Sequence, residues 1–158
     1  MEIIKFEQLN HDEQKLVDAA MYAAEKSITG KKNFVGSAIL GSKGGVFGGA
    51  TIARTRAIGS TCSERMALDQ LYFDGNEIPK IICTIGTFER AGWENQFICT
   101  PCGVCLEMLL ECTKHFGIDS LNLICSSWDK SKILKCTLDE IFPQVGKGKW
   151  QRCDTTTL

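Results

Sequence analysis

The sequence predicts a layered α/β domain built on one mixed β-sheet. Helical and strand-like periodicities alternate along the chain, in the order helix, two strands, helix, strand, helix, one or two strands and a short helix. The chain of 158 residues is long enough to bury a sizeable core, and no Pro/Gly/Ser-rich linker divides it. We therefore expect a single domain over residues 1–158, with its core over about 10–143 and a polar C-terminal tail.

The first half of the chain predicts a helix followed by a β-hairpin. Asn10 can cap a helix that runs from about Gln8 to Ile28, because Glu13 follows three residues later and apolar residues recur at helical spacing. Phe34–Leu40 and Val46–Ile52 are predicted strands, since both are rich in apolar and β-branched residues. The Gly-Ser-Lys-Gly-Gly segment between them predicts the turn of the hairpin.

The second half alternates helices with short apolar strands. Glycine is the commonest helix stop, so Gly75 and Gly117 mark the ends of two predicted helices. Proline is tolerated in the first helical turn, which places the start of the third helix at Thr100-Pro101. The predicted elements are a helix over Cys62–Phe73, a strand over Ile81–Gly86, a helix over Thr100–Phe116, strands over Leu121–Cys125 and Ile133–Cys136, and a short helix from Thr137.

Composition gives no support to a nucleic-acid or membrane partner. The formal net charge is -1, which gives no support to a nucleic-acid partner. No segment reaches the about 18 consecutive apolar residues that span a bilayer, and the N-terminal residues lack an apolar signal core. We therefore expect a small-molecule partner, no membrane or nucleic acid, and a cytoplasmic location. Nine cysteines in a reducing compartment indicate metal binding or catalysis where their spacing is tight.

Two predicted helix starts carry the chemistry, Thr61-Cys-Ser-Glu-Arg and Thr100-Pro-Cys-Gly-Val-Cys. The exposed N–H groups and the positive dipole end of a helix favour thiolates, which is the form that binds metal. Cys62, Cys102 and Cys105 would supply three protein ligands to Zn²⁺ and leave the fourth position to water, as in catalytic zinc sites. Glu64 follows Cys62 by two residues, so its carboxylate can lie beside that water.

Less specific interpretations of these residues exist. Thr61-x-x-Glu64 is also a capping box, which alone would explain the carboxylate. A purely structural zinc site normally closes with four ligands, so a three-cysteine set with a nearby glutamate fits it poorly. Cys99 extends the series to Cys-x-x-Cys-x-x-Cys, but the further cysteine and proline of an iron–sulfur run are missing. The remaining cysteines and the histidines are assigned to core or surface positions: Cys83, Cys112, Cys125 and Cys136 to the core, and Cys153, His11 and His115 to non-ligand positions.

The two motifs resemble the zinc signature of the cytidine deaminase family, in its all-cysteine, small-subunit branch. That branch usually reads Cys-Ala-Glu-Arg followed by Pro-Cys-Gly-x-Cys. The strand segment Val35-Gly-Ser-Ala-Ile-Leu is similar to the family's Val-Gly-Ala-Ala-Leu. Thr137-Leu-Asp-Glu-Ile-Phe-Pro143 is similar to its Thr-Leu-x-Glu-Leu-Leu-Pro, so the resemblance covers roughly Asp18 to Pro143.

The resemblance implies a three-layer α/β/α sandwich with both ligand-bearing helices on one face of the sheet. It also implies zinc-dependent hydrolytic deamination of a cytidine-like amino-heterocycle, with Glu64 as the proton shuttle. Arg65 would offset the negative charge that three thiolates leave on Zn²⁺. A homo-oligomer, tetramer or dimer, is implied as well, with neighbouring subunits helping to close each site. The alternative is a catalytically silent relative with structural zinc that binds a nucleoside-like ligand.

The residues around the expected substrate depart from the family pattern. Nucleoside-type members carry Asn and Glu at the positions of Thr51 and Ala53, where they hold the ribose hydroxyls. The family carries an aromatic residue two positions before the Val-Gly strand segment. In this chain that position holds Asn33. We assign substrate contacts to Asn33, Thr51, Ala53, Ser63 and Thr100, and expect a free base, a modified nucleoside of the antibiotic type, another amino-heterocycle, or cytidine held differently. Arg54 and Arg56 could meet a phosphate, although a solvated loop is the favoured interpretation.

Overall fold

The computed structural model describes residues 1–142, and six strands in it form one sheet in the order β1-β6-β5-β4-β2-β3. β4 and β5 are parallel, and the other neighbouring pairs are antiparallel, so the predicted mixed sheet is confirmed. In chain order the elements are β1 (Glu2–Ile4), α1 (His11–Ala24), β2 (Phe34–Gly41), β3 (Val46–Ala50), α2 (Ser63–Asp74), β4 (Pro79–Thr87), α3 (Gly103–Phe116), β5 (Asn122–Ser126), β6 (Ile133–Thr137) and α4 (Leu138–Ile141).

Helices cover both faces of the sheet, because neighbouring strand residues point to opposite sides. On one face α1 packs with alternate residues of the central strands, and the buried set is Leu9, Leu16, Val17, Ala20, Ala24, Ala38, Cys83, Ile85, Ile124 and Ile133. On the other face α2, α3 and α4 share a second buried set, which includes Ala67, Leu68, Leu71, Leu106, Leu109, Cys112, Leu138 and the strand residues Ile39, Ile82, Leu123, Cys125, Leu134 and Cys136. The predicted three-layer sandwich is therefore confirmed, with both cysteine-bearing helices on one face.

Two strand glycines allow the helices to lie close against the sheet. A Cβ on Gly36 would lie 2.1 Å from the backbone oxygen of Ala20 in α1. A Cβ on Gly49 would lie 2.1 Å from the backbone oxygen of Ser63 and 2.5 Å from the backbone nitrogen of Ala67. Any side chain at Gly49 would therefore push the first turn of α2 off the sheet, and this turn carries the candidate site.

Several predicted boundaries were wrong for identifiable reasons. α1 ends at Ala24 rather than Ile28, because the Ser27 hydroxyl bonds the backbone of Val35 and Ile28 pairs with Ile52 beside the sheet. α3 begins at Gly103 rather than at Thr100-Pro101, because Cys102 is extended and occupies the N-cap position.

The N-terminal strand was missed altogether. β1 has only three residues, Glu2–Ile4, and its pairing with β6 cannot be read from local periodicity. The predictions for the polar tail and for Cys153 fall outside the described residues. Among residues 1–142, no helix combines the length and the apolar character that crossing a membrane would require.

Candidate metal centre and active site

Two cysteines occupy equivalent positions at the starts of two helices. Cys62 is the N-cap residue of α2 and Cys102 is the N-cap residue of α3, and both have extended backbones. Neither side chain makes a capping hydrogen bond, so both sulfurs are available to a metal at the positive end of the helix dipole. Cys105 is the third residue of α3. In a capping box the N-cap side chain reaches forward to this position and the side chain here reaches back to the N-cap, which explains why a Cys-x-x-Cys in this register brings two sulfurs together.

The three sulfurs form a cluster suited to Zn²⁺. The Sγ atoms of Cys62, Cys102 and Cys105 all lie within 4.8 Å of one another, and those of Cys102 and Cys105 are 3.5 Å apart. Tetrahedral Zn–S bonds of about 2.3 Å place ligand sulfurs roughly 3.8 Å apart. Thiolates are the donors that zinc prefers in such sites, so both spacing and chemistry fit. Three ligands leave the fourth position of the tetrahedron to water or substrate.

The pKa values of two thiols in the cluster, those of Cys62 and Cys105, are shifted in opposite directions. The hydrogen bond from Cys105 is the main cause that lowers the pKa of Cys62 to about 6, and the positive charge of Arg65 acts in the same direction. Burial and the charge of Glu64 oppose this shift. The same hydrogen bond, followed by burial, raises the pKa of Cys105 well above its ordinary value. These shifts favour the thiolate form of Cys62, which is the form that binds a metal.

Glu64 is a buried carboxylate placed against this cluster. Its side chain is only 4% exposed, and Oε2 accepts hydrogen bonds from Cys105 Sγ at 3.4 Å and from Ser63 Oγ at 3.1 Å. The alternative capping box is wrong, because the N-cap of α2 is Cys62 and the Thr61 N–H donates to Ile52 instead. Glu64 is thus free of a capping role, and its carboxylate faces the sulfurs.

The other cysteines of residues 1–142 lie outside the cluster. Cys99 is buried, burial is the main cause that raises its pKa to about 12, and its N–H donates to the Ser126 carbonyl at the end of β5. Cys99 therefore lies apart from the sulfur cluster, in the segment before α3. The four cysteines assigned to the core are all buried: Cys83, Cys112, Cys125 and Cys136.

Comparison with known proteins decides the family. The cytidine and deoxycytidylate deaminase zinc-binding region matches residues 10–118, a span that contains both cysteine motifs and Glu64. The chain belongs to this family. Zinc is accordingly the metal that the sulfur cluster suits, and the family supports a zinc-dependent deaminase or hydrolase as the class of protein. A search of the curated proteins found no match to this chain.

Solved cytidine deaminases share the fold. The enzyme from Burkholderia pseudomallei matches with a TM-score of 0.70 and 21% identity, over 87% of this chain and 100% of that chain. The enzyme from Mycobacterium tuberculosis matches with a TM-score of 0.64 and 20% identity, over 86% of this chain and 98% of that chain. The enzyme from Bacillus anthracis matches with a TM-score of 0.60 and 19% identity, over 86% of this chain and 89% of that chain. At these identities the likeness shows the cytidine deaminase fold.

The residues proposed for substrate contact lie on four segments of the chain. Ile52 pairs with Thr61, the residue before Cys62. Thr51 and Ala53, on either side of Ile52, are therefore close in the fold to Cys62. Thr51 is half-buried and Ala53 is exposed. Thr100 is exposed two residues before Cys102.

Asn33 and Ser63 have their side chains engaged with the protein itself. Asn33 Oδ1 accepts a hydrogen bond of 3.0 Å from the backbone of Glu89, which ties the start of β2 to the loop after β4. Ser63 is fully buried, and its hydroxyl bonds Glu64 and Ser37. Their contacts with substrate stay predictions.

Two polar residues next to the site were missed by the sequence analysis. Ser37 and Thr84 lie on the central strands, are at most 1% exposed, and hydrogen-bond each other at 3.1 Å. The signal available in the sequence was a serine within the otherwise apolar segment Val35-Gly-Ser-Ala-Ile-Leu. Buried hydroxyls need hydrogen-bond partners. Here Ser37 bonds Ser63, and Ser63 bonds Glu64.

Arg65 is expected to support metal binding through its charge. Three thiolates and Zn²⁺ carry a net negative charge, and Arg65 is the cation that favours the Cys62 thiolate. We predict that Arg65→Gln keeps the fold but weakens zinc binding about 10-fold, the size of effect typical of groups that support a ligand. Competition with a chromophoric chelator measures the affinity, and thermal unfolding checks the fold. Lys43→Gln, in the hairpin turn, is the control; equal affinities in both variants would exclude this role.

Proposed function

We propose that the protein catalyses hydrolytic deamination of a cytidine-like amino-heterocycle, using zinc and Glu64. The observation that supports this most is the buried Glu64 carboxylate, 3.4 Å from a sulfur of a three-cysteine cluster. A structural zinc site needs no such carboxylate and normally has a fourth protein ligand. When bound, zinc supplies a Lewis acid that lowers the pKa of water to about 7.

The protein's own groups can move the protons of this reaction. Hydrolysis exchanges the C–NH₂ bond of the heterocycle for C=O, consuming one water and releasing one ammonia. Glu64 accepts a proton from the attacking water, delivers it to the ring nitrogen, and assists protonation of the departing amino group. Its burial keeps bulk water away from the transferred proton. Ser63 donates a hydrogen bond to its Oε2, so Oε1 is the oxygen left for the exchange.

The residues near Cys62 favour a substrate that is not bound through ribose hydroxyls in the way of the nucleoside-type family members. Thr51 offers one hydroxyl and Ala53 offers no polar side chain. The segment after β3, which lies beside Cys62, therefore supplies no carboxylate to a sugar at these two positions. Loss of a matched hydrogen-bond acceptor can change specificity by large factors. We therefore propose a free base, a modified nucleoside or another amino-heterocycle as the preferred substrate.

Ammonia release from a panel of amino-bearing compounds tests this function. The panel holds free bases, nucleosides, nucleotides and nucleoside antibiotics, and zinc-loaded protein is compared with protein stripped by a chelator. We expect release only with zinc, and a higher kcat/KM for at least one compound without an ordinary ribose than for cytidine. Cytidine as the best substrate would contradict the pocket argument. If zinc-loaded protein releases ammonia from no compound of the panel, the catalytically silent, ligand-binding alternative would be favoured.

We also propose that the chain acts as a homo-oligomer, a tetramer or a dimer. Large apolar side chains are exposed near α2 and α3: Ile58 at 93%, Phe73 at 96% and Val104 at 57%. An open groove of about 810 Å³ beside α2 is lined by Phe47, Met66 and Phe73 among polar neighbours. Phe73 is both exposed and part of this groove, and exposed apolar grooves are typical of subunit interfaces. Sedimentation equilibrium at assay concentrations checks the proposal, and a monomer would exclude it.

A cytoplasmic location is proposed from the thiol chemistry. The eight cysteines of the described residues are all free, and the zinc ligands among them must stay reduced. Fractionation of the native cell with detection of the protein checks this location.

A further inference from the structure

A chain of buried hydroxyl groups lies directly behind Glu64. Ser63 Oγ is 3.1 Å from Glu64 Oε2, Ser37 Oγ is 2.8 Å from Ser63 Oγ, and Thr84 Oγ1 is 3.1 Å from Ser37 Oγ. All three hydroxyl residues are 0–1% exposed. The chain therefore crosses from α2 through β2 to β4 without meeting bulk water.

The direction of every hydrogen bond in this chain follows from the proton count. Ser63 donates its one hydroxyl proton to Glu64 Oε2. Ser63 must then accept from Ser37, and Ser37 must accept from Thr84. All three hydroxyl dipoles consequently point their hydrogens toward the carboxylate. Aligned hydrogen bonds of this kind polarise one another, which strengthens the bond to Glu64.

We propose that Ser63, Ser37 and Thr84 are positioning residues that fix the Glu64 carboxylate for proton transfer. This inference rests on the proposed deaminase function of the same site. The hydroxyl chain holds Oε2 and thereby directs Oε1 toward the water and the heterocycle. All three hydroxyl residues are at most 1% exposed, so we assign their effect on the reaction to Glu64.

Metal binding makes the hydroxyl chain more important. In the structure Oε2 has two donors, the thiol of Cys105 and the hydroxyl of Ser63. A cysteine that ligates zinc is a thiolate and has no proton left to donate. Ser63 is then the one remaining donor to Oε2 among the described residues. A buried carboxylate with a single fixed donor depends strongly on that donor for its orientation.

The scaffold around the chain is rigid. Ser37 and Thr84 are directly paired residues on the adjacent antiparallel strands β2 and β4. Ser63 begins α2, whose first turn lies flush against Gly49 of β3. The hydroxyls therefore have fixed positions relative to the sheet, which is what a positioning role requires.

The experiment uses variants that remove or keep single hydroxyls in the zinc-loaded protein. Ser63→Ala should lower kcat about 10- to 100-fold with KM and zinc stoichiometry nearly unchanged, as expected for a group that orients a catalytic residue. Alanine stands at this position in the usual motif of the family, so the variant should fold. Ser126→Ala is the matched control, because Ser126 is also fully buried but its hydroxyl donates only to the Ser127 carbonyl.

Thr84 offers an isosteric pair of variants. Thr84→Val keeps the shape and removes the hydroxyl, whereas Thr84→Ser keeps the hydroxyl. We expect kcat to fall in the valine variant, by less than in Ser63→Ala, and to be retained in the serine variant. Equal kcat values for Thr84→Val and wild type, or for Ser63→Ala and Ser126→Ala, would overturn the proposal.

A measurement without turnover separates this proposal from the proposed function. Carbon-13 NMR of the Glu64 carboxyl carbon in zinc-loaded protein should show a changed chemical shift in Ser63→Ala and no change in Ser126→Ala. A shift that is the same in Ser63→Ala and wild type would overturn the hydroxyl chain, whatever the activity. Absence of turnover in wild type, together with the expected change in shift, would reject the deaminase function while leaving the geometry of Glu64 as described.

Discussion

Replacing Glu64 with glutamine is expected to lower the rate of ammonia release about 10²- to 10⁴-fold while zinc stays bound. The amide is nearly isosteric with the carboxylate but cannot take up and return a proton, and general acid–base catalysis contributes an effect of this size. The side chain is buried and accepts a hydrogen bond from Ser63 on Oε2, so bulk water cannot easily take its place. The rate is measured on the best substrate of the panel, and bound zinc is measured on the same sample.

The control for this variant is Glu111→Gln. Glu111 lies on the exposed side of α3, so the same loss of charge occurs away from the sulfur cluster. We expect wild-type rates there. A Glu64→Gln protein that retains zinc and more than a tenth of the wild-type kcat would rule out Glu64 as the proton carrier. A variant that loses zinc would instead indicate that Glu64 contributes to the metal centre.

The second large effect is expected from Cys102→Ser. Cys102 is exposed, so removal of its sulfur disturbs little packing, and its consequences fall on the metal. A neutral hydroxyl replaces a thiolate whose Sγ lies 3.5 Å from that of Cys105. Zinc affinity should fall by more than the about 100-fold that loss of a supporting residue can cost. Chelator competition measures the affinity, and ammonia release should be lost together with the metal.

Cys99→Ala is the control that separates the two overlapping Cys-x-x-Cys pairs. Cys99 precedes Cys102 by three residues, as Cys102 precedes Cys105, but its side chain is buried against Gly86 and lies outside the sulfur cluster. We expect Cys99→Ala to keep zinc and activity, with some loss of thermal stability because a buried sulfur is removed. Zinc loss in Cys99→Ala, with retention in Cys102→Ser, would reverse the assignment of ligands.

Local chemistry made much of the fold and site predictable. Helix starts and stops follow from single residues such as the Asn10 cap and the left-handed glycines at 75 and 117, so α1, α2 and α3 were placed within a few residues. The two cysteine motifs are local as well. An N-cap cysteine and a cysteine three residues later share one side of a helix start whatever surrounds them.

Boundary errors arose where a distant segment competed with local preference. Ser27 and Ile28 continue the helical pattern of α1, yet they bond to β2 and to Ile52 because these contacts satisfy backbone groups at the sheet edge. Glu64 was ambiguous for a related reason. The sequence Thr61-x-x-Glu64 permits a capping box, and only the pairing of Thr61 with Ile52 moves the N-cap to Cys62 and releases the carboxylate.

The sequence by itself determined the kind of centre, three thiolates and a carboxylate at two helix starts, because each motif is a short run of chain with a fixed local geometry. The tertiary structure decided which groups surround that centre. Ser37 is 26 positions from Ser63 and 47 positions from Thr84, and these hydroxyls meet only because β2 pairs with β4 while α2 packs on their common face. Contacts over such separations depend on strand register and helix packing, which neither periodicity nor residue type encodes locally.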